Sequence, residues 1–211
     1  LIDITKNAQF DEMEFSYKKC TKIRSYTPKP TLNLQKVAEA AELINNAKKP
    51  YIIFGQGIIL SEAEAELKAL IEKSGIPAAW TILGLSALPT DHPLNVGMLG
   101  MHGNYGPNVL TNECDVLIAL GMRFDDRVTG NLATYAKQAK VIHFEIDSAE
   151  IDKNVKTTVA VLADVKEALT ALIPLINKKS HDSWHNEFKE KYKIELEAVI
   201  NEELAPTNNK G

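Results

Sequence analysis

Residues 99–130 read LGMHGNYGPNVLTNECDVLIALGMRFDDRVTG. At their centre stands Val116-Leu117-Ile118-Ala119-Leu120, a short apolar run without alternation. Bounded by Asp115 and Gly121, it has the pattern of a strand buried on both faces of a parallel sheet. Residues 105–113 ahead of it read as a helix. A glycine-punctuated loop flanks each end of this helix–strand unit. One loop holds Met101-His102-Gly103 and the other Arg123-Phe124-Asp125-Asp126-Arg127. Open parallel sheets take ligands at the carboxyl ends of their strands, and both loops fall at that edge. Surface turns seldom gather Met, His, Phe and two Arg among so many glycines.

The same alternation extends in both directions. Val37, Ala40, Ala41 and Ile44 recur at helical spacing and predict a helix over 34–47. Tyr51-Ile52-Ile53-Phe54 reads as a strand ended by Gly55-Gln56-Gly57. Ser61 followed by Glu64 reads as a capping box opening a helix that carries Leu67, Leu70 and Ile71 to Gly75. Residues 76–81 are the next strand, followed by a loop with Gly84 and Pro89. Beyond the central unit, Val141-Ile142-His143-Phe144 reads as a strand closed by Glu145 and Asp147, and Val159-Ala160-Val161-Leu162 as the last, ended by Asp164. Helices are expected near 131–138, 148–154 and 165–176. Trp184, Phe188, Tyr192, Leu196 and Ile200 mark a terminal amphipathic helix leading into a polar tail. Strands alternating with helices, joined by right-handed crossovers, define an α/β fold: a doubly wound, Rossmann-like parallel sheet.

Composition narrows the function classes. The chain has 211 residues, 45% of them hydrophobic and 25% charged, with a net charge of -4. These are values of a soluble globular protein. The charge gives no footprint for nucleic acid or acidic membranes, so an anionic ligand must be held by particular arginines and backbone amides. No apolar run approaches the roughly 18 residues that span a bilayer, and the start does not read as a signal peptide. Cys20 and Cys114 lack a partner motif and are read as buried thiols in a reducing, cytoplasmic setting. Leu1-Ile2-Asp3-Ile4-Thr5 reads like the end of a strand and has no initiator Met, which suggests a piece of a longer polypeptide. The expected organisation is residues 1–10 from a preceding domain, 11–31 a linker closing on Tyr26-Thr27-Pro28-Lys29-Pro30-Thr31, 32–178 the α/β domain, and 179–211 a helix and onward linker.

Single motifs leave alternatives open. Gly55-x-Gly57 lacks a third glycine (Leu60 stands there), and no acid ends the next strand to hold a ribose, so the dinucleotide fingerprint is incomplete. A tight turn needing positive φ explains the two glycines as well as close approach to a nucleotide does. Glu145 and Asp164 suit ribose or adenine recognition, although Asp164 is also placed as a helix N-cap. The Leu99–Gly103 loop precedes a helix whose amides could meet a phosphate. Met101 offers an adaptable apolar surface to a flat ring, and His102 is a proton carrier or a hydrogen-bonding spacer. Arg123 and Arg127 are suited to a diphosphate, or to ion pairs with Asp125 and Asp126. His181 and His185 lie four apart without a third ligand and are assigned to a helix surface, not to a metal.

Three motifs together are far more specific. LGMHG at 99–103, GMRFDDRVTG at 121–130 and FEIDSAEIDKN at 144–154 resemble the central domain of the acetolactate synthase (acetohydroxyacid synthase) catalytic subunits. The resemblance runs from LIDITKNAQ to at least Ile176. It implies the thiamine-diphosphate enzyme central-domain fold, of the NAD/FAD-binding type, holding FAD in a non-redox role. The whole transferase would decarboxylate pyruvate and add the product to a second 2-keto acid (pyruvate or 2-ketobutyrate), in isoleucine and valine synthesis. It would be a homodimer or tetramer with a small regulatory subunit, using thiamine diphosphate and Mg²⁺ held by other domains. By motif, Gly55, Gln56 and Gly57 fall near the phosphate or ribitol. Thr81, Ile82 and Leu83 line the flavin side, with Gly100, Met101, His102 and Gly103 close by. Gly121, Arg123 and Arg127 reach the ribitol and diphosphate. Glu145, Ile146, Asp164 and Val165 hold the adenosine end. Met122 stands where a small residue is common in the family. The resemblance places no catalytic residue in this chain, His102 being at most a neighbour of the active site, and the chain alone is expected to be inactive. The competing readings are a scaffold that retains no cofactor and an NAD-binding domain of another enzyme.

Overall fold

A computed structural model describes residues 3–21 and 28–204. In chain order the elements are α1 (Lys6–Gln9), α2 (Leu34–Asn46), β1 (Pro50–Phe54), α3 (Gln56–Leu60), α4 (Glu64–Ser74), β2 (Ala78–Trp80), β3 (Asn95–Met98), α5 (Tyr105–Leu110), β4 (Val116–Leu120), α6 (Asp126–Thr129), β5 (Lys140–Glu145), β6 (Val159–Leu162), α7 (Val165–Leu172) and α8 (Asp182–Glu195). A π-helical stretch, Leu196–Leu204, continues α8. The six strands form one sheet in the order β3-β2-β1-β4-β5-β6. Every pairing is parallel. This is the doubly wound order, whose two halves diverge between β1 and β4.

The central strands explain the arrangement. Every residue of PYIIF in β1 and VLIAL in β4 is buried, because helices cover both faces. Successive side chains go to opposite faces. Ile52, Phe54, Ile118, Leu120, Ile142 and Phe144 join the core built with α2, α4 and α7. Tyr51, Ile53, Leu117, Ala119 and Val141 join a second core with Leu110, Trp184 and Phe188. In α2 the buried residues are Val37, Ala40, Ala41 and Ile44, the stripe expected from its spacing, and Asn33 caps it by accepting from the Gln35 and Lys36 amides.

The end of the sheet where the strands begin is closed by internal hydrogen bonds. Asp115, just before β4, accepts from the Lys48 amide at 2.7 Å and the Lys49 amide at 2.9 Å. Its carbonyl receives the Lys140 amide at 2.9 Å. The Trp184 indole donates to the Pro50 carbonyl at 2.8 Å.

Several local expectations need correction. Ser61 does not open α4: it ends α3, a short helix the pattern did not reveal, and Glu62 follows at φ 53°. The N-cap of α4 is Ala63, with no side-chain cap bond. Strand β3 lies within the stretch the sequence predicts as loop, because NVGM is half-buried at the sheet edge and carries neither a continuous apolar run nor alternation. No helix forms over 131–138 or 148–154. In the first stretch the Asn131 side chain accepts from the Ala133 amide and Ala136 has φ 46°. In the second, Asp147 and Asp152 accept from the Ala149 and Thr157 amides, which turns the chain instead. Near the start, Asp3, Ile4 and Thr5 lie outside any strand and a short helix follows, while Leu1 and Ile2 lie outside the described residues. Residues 22–27 of the expected linker, with Tyr26 and Thr27, and 205–211 of the polar tail also lie outside them. Cys114 is buried as expected, but Cys20 is exposed. His181 and His185 are half-buried, not on an open helix surface. Burial lowers the pKa of both, aided by Lys179 and Lys189 respectively.

Candidate functional site

At the carboxyl ends of the strands an open groove of about 520 Å³ crosses the sheet. That size falls within the roughly 300–1,000 Å³ of small-molecule sites. Its floor is the junction of the two half-sheets. There the Gly57 amide donates to the Gly121 carbonyl at 2.8 Å. A Cβ on Gly57 would lie 2.6 Å from the Gly121 Cα, and one on Gly121, itself at φ +55°, would lie 2.8 Å from the Gly57 Cα. Two bare backbones therefore touch where any ligand must cross. The positive φ expected of the Gly55-x-Gly57 turn is absent: Gly55 is extended at φ -134°. Close approach to Gly121 and Met122 is what both glycines serve.

On the β1–β2–β3 side, the groove is lined by Gln56, Gly57, Leu60, Thr81, Ile82 and Leu83, with Met98, Leu99, Met101 and His102 beside them. Large apolar side chains here stand in solvent: Leu60 is 73% exposed, Ile82 66% and Met101 63%. Such a patch in a groove marks a binding surface. On the β4–β5 side the lining is Gly121, Met122, Arg123, Asp125, Arg127, Val128, Glu145 and Ile146.

The two loops that bracket β4 are joined. The Met101 amide donates to the Arg127 carbonyl at 2.7 Å. Asn108 holds the first loop by accepting from the Gly100 amide and donating to the Gly100 carbonyl. Asp125 caps α6 by accepting from the Val128 amide. Arg123 approaches Asp125 only at 3.7 Å with both side chains exposed, a weak pair that leaves its guanidinium available.

Behind this lining lies a buried histidine. His143, 0% exposed, sits on β5 with Nε2 2.8 Å from the Met122 carbonyl. A carbonyl only accepts, so Nε2 carries the hydrogen. Nδ1 is buried without a partner. Burial lowers the His143 pKa against the opposing pull of the Met122 carbonyl, Glu145, Glu150 and Asp152. Glu145 spends Oε1 on the Ile146 and Asp147 amides and leaves Oε2 3.7 Å from His143 Nε2.

Twelve of the residues named from sequence line one groove: Gln56, Gly57, Thr81, Ile82, Leu83, Met101, His102, Gly121, Arg123, Arg127, Glu145 and Ile146. Gly55, Gly100 and Gly103 stand behind the lining as backbone supports. Asp164 and Val165 are also off the groove. The Asp164 Oδ1 caps α7, and its Oδ2 meets Lys29 at 3.0 Å. Burial would raise the Asp164 pKa, but Lys29 and the Glu167 and Lys166 amides outweigh it and hold it below the usual value. The expected phosphate site at the α5 amides is also not formed, because Glu195 occupies that helix end, accepting from the Tyr105 amide and from Asn104 Nδ2. Leu99, Met122, Asp125 and Val128, which belong to the LGMHG and GMRFDDRVTG motifs, also line the groove, as do Leu60 and Met98, for which the sequence carries no site signal. Among the described residues no cluster of three or more His, Cys, Asp or Glu could hold a metal ion. No helix among them is long and apolar enough to cross a membrane.

The strand order defines a doubly wound α/β domain, with the groove at its switch point as the candidate ligand site. Residues 37–172 match the family described as "Thiamine pyrophosphate enzyme, central domain", and the chain belongs to that family. Among its relatives is the probable acetolactate synthase large subunit of Methanocaldococcus jannaschii, 40% identical over 202 residues, which are 92% of this chain and 34% of that protein. The acetolactate synthase of Mycobacterium bovis is 42% identical over 83% of this chain and 28% of its own length. The acetolactate synthase isozyme 1 large subunit of Escherichia coli K12 is 39% identical over 87% of this chain and 32% of its own. The chain thus spans about a third of the length of these relatives.

Proposed function

We infer that this chain is the central part of an acetolactate synthase large subunit, residues 32–178 forming the domain, and that its groove holds FAD in a structural, non-redox role. The observation that carries this reading is the division of one groove into an exposed apolar wall and a pair of uncommitted arginines across a bare-backbone floor. A flavin needs the first, a diphosphate the second, and a chain passing between them the third. Thr81, Ile82, Leu83 and Met101, with His102 beside them, receive the ring system. Gly57 and Gly121 let the ribitol and phosphates pass, with Gly55 and Gln56 shaping the turn. Arg123 and Arg127 bind the diphosphate through charge-assisted hydrogen bonds. Glu145 Oε2 and the Ile146 backbone take the adenosine side. Asp164 and Val165 support that end from behind, as the cap and first turn of α7.

FAD so held contributes shape and rigidity rather than electrons. In the whole enzyme, thiamine diphosphate and Mg²⁺ on other domains carry out the condensation of pyruvate with a second 2-keto acid, and a small subunit joins the large one, as the relatives' designation "large subunit" supports. The 211-residue chain with pyruvate, thiamine diphosphate, Mg²⁺ and FAD is expected to yield no acetolactate.

Calorimetric titration with FAD and NAD tests the reading. Saturable FAD binding that Arg123→Ala weakens supports it. Preference for NAD overturns it in favour of another dinucleotide enzyme, and binding of neither leaves a scaffold.

A further inference from the structure

Arg123 lies between two carbonyls that are each held from outside its loop. His143 Nε2 donates to the Met122 carbonyl at 2.8 Å, and Asn154 Nδ2 donates to the Phe124 carbonyl at 2.7 Å. The donors come from different places: His143 from the buried centre of β5, Asn154 from the turns that follow it and end the FEIDSAEIDKN motif. Between them the Phe124 ring is buried, edge-on to His143 with centroids 5.0 Å apart. The peptide plane entering Arg123 and the one leaving Phe124 are thus both fixed, which leaves the Arg123 Cα–Cβ direction little freedom.

Neither donor lines the groove, so neither touches a ligand there. His143 is also an expensive choice for packing alone. It carries a buried Nδ1 without a partner, a polar atom that an apolar side chain filling the same space would not bring. The bond from Nε2 is the one thing the imidazole supplies that such a side chain cannot.

We propose that His143 and Asn154 are positioning residues, a two-point carbonyl clamp that presents the Arg123 guanidinium to the phosphates of the groove's ligand. The clamp rests on the FAD reading only for the identity of those phosphates. Preorganised in this way, Arg123 binds without first ordering its own backbone.

The test uses the 211-residue chain with two probes, FAD and riboflavin, the latter lacking phosphate. Asn154→Ala, an exposed position that spares the core, and His143→Phe are expected to weaken FAD roughly tenfold, the loss of about one hydrogen bond's worth of ordering. Riboflavin affinity stays unchanged, and His143→Gln, which retains a donor near Nε2, restores most of the FAD affinity. In an Arg123→Ala background, Asn154→Ala has no further effect, because the clamp acts through that side chain. Equal weakening of FAD and riboflavin, or full additivity with Arg123→Ala, overturns the clamp. Should the parent chain bind no FAD, the cofactor reading fails separately and amide hydrogen exchange over residues 123–127 decides. Faster exchange in Asn154→Ala and His143→Phe but not in His143→Gln supports the clamp, and unchanged exchange overturns it.

Discussion

The two ends of this sheet are built from the same six strands and treated in opposite ways. Where the strands begin, Asp115 and the Trp184 indole take up backbone groups of neighbouring segments. Where the strands finish, Leu60, Ile82, Leu83 and Met101 project into water, and Arg123 and Arg127 stay exposed. The contrast separates stability from binding within one element. Side chains near the starts of β1 and β4 answer to the fold, while those beyond their ends stand in a surface that stability alone would have made polar.

That separation can be broken experimentally, and the largest effect should come where the two roles meet. Gly121→Ala places a Cβ 2.8 Å from the Gly57 Cα on a backbone at φ +55°. It is expected to cost about 2–4 kcal/mol in chemical denaturation and to abolish ligand binding as well. Asp115→Ala acts at the closed end only. Losing two charge-assisted hydrogen bonds should cost about 2 kcal/mol, with FAD affinity of the folded protein unchanged. A parallel loss of affinity would show that the ends are not independent. Arg123→Ala is the mirror case: FAD binding falls roughly tenfold or more, while the unfolding free energy of the unliganded chain changes by no more than about 0.5 kcal/mol.

Acid gives a smaller and more gradual effect. Because burial holds the folded His143 pKa below its ordinary value of about 6.5, the unfolded chain binds the extra proton first. Stability from this group is complete above that pH and is lost as pH falls from there toward the folded pKa. His181 and His185 act in the same direction. The slope of unfolding free energy between pH 7 and 5 should therefore be shallower in His143→Gln than in the parent, and equal slopes would remove His143 from the account. The smallest change is Lys29→Ala. Its ammonium is exposed, so the melting temperature should hardly move although Asp164 loses its ion pair.

What the sequence made legible follows from how strongly each element commits its side chains. β1 and β4 are readable because both faces bury apolar residues, β6 because all four of its residues are apolar, and α2 because four buried apolar residues recur at helical spacing. β3 escaped because an edge strand needs only half of that apolar content, and NVGM spends a position on Gly97. The stretches at 131–138 and 148–154 contain helix formers, but Asn131, Asp147 and Asp152 offer the backbone side-chain acceptors that compete with helix. Within the site, Arg123, Arg127, Met101 and the glycines could be read because their chemistry is unusual for a loop. Asp164 could not be placed, since a carboxylate that caps a helix and one that meets a ribose look alike until Lys29 is seen beside it.

The contact between Gly57 and Gly121 has a consequence for how this groove tolerates mutation. Its floor is main chain, so no side-chain chemistry is there to be tuned, titrated or oxidised. Every missense change at either codon adds atoms at a point where none fit. Variation in a lineage carrying this domain is thus free to reshape the walls, trading one apolar residue for another, while the floor admits a single allele at each position.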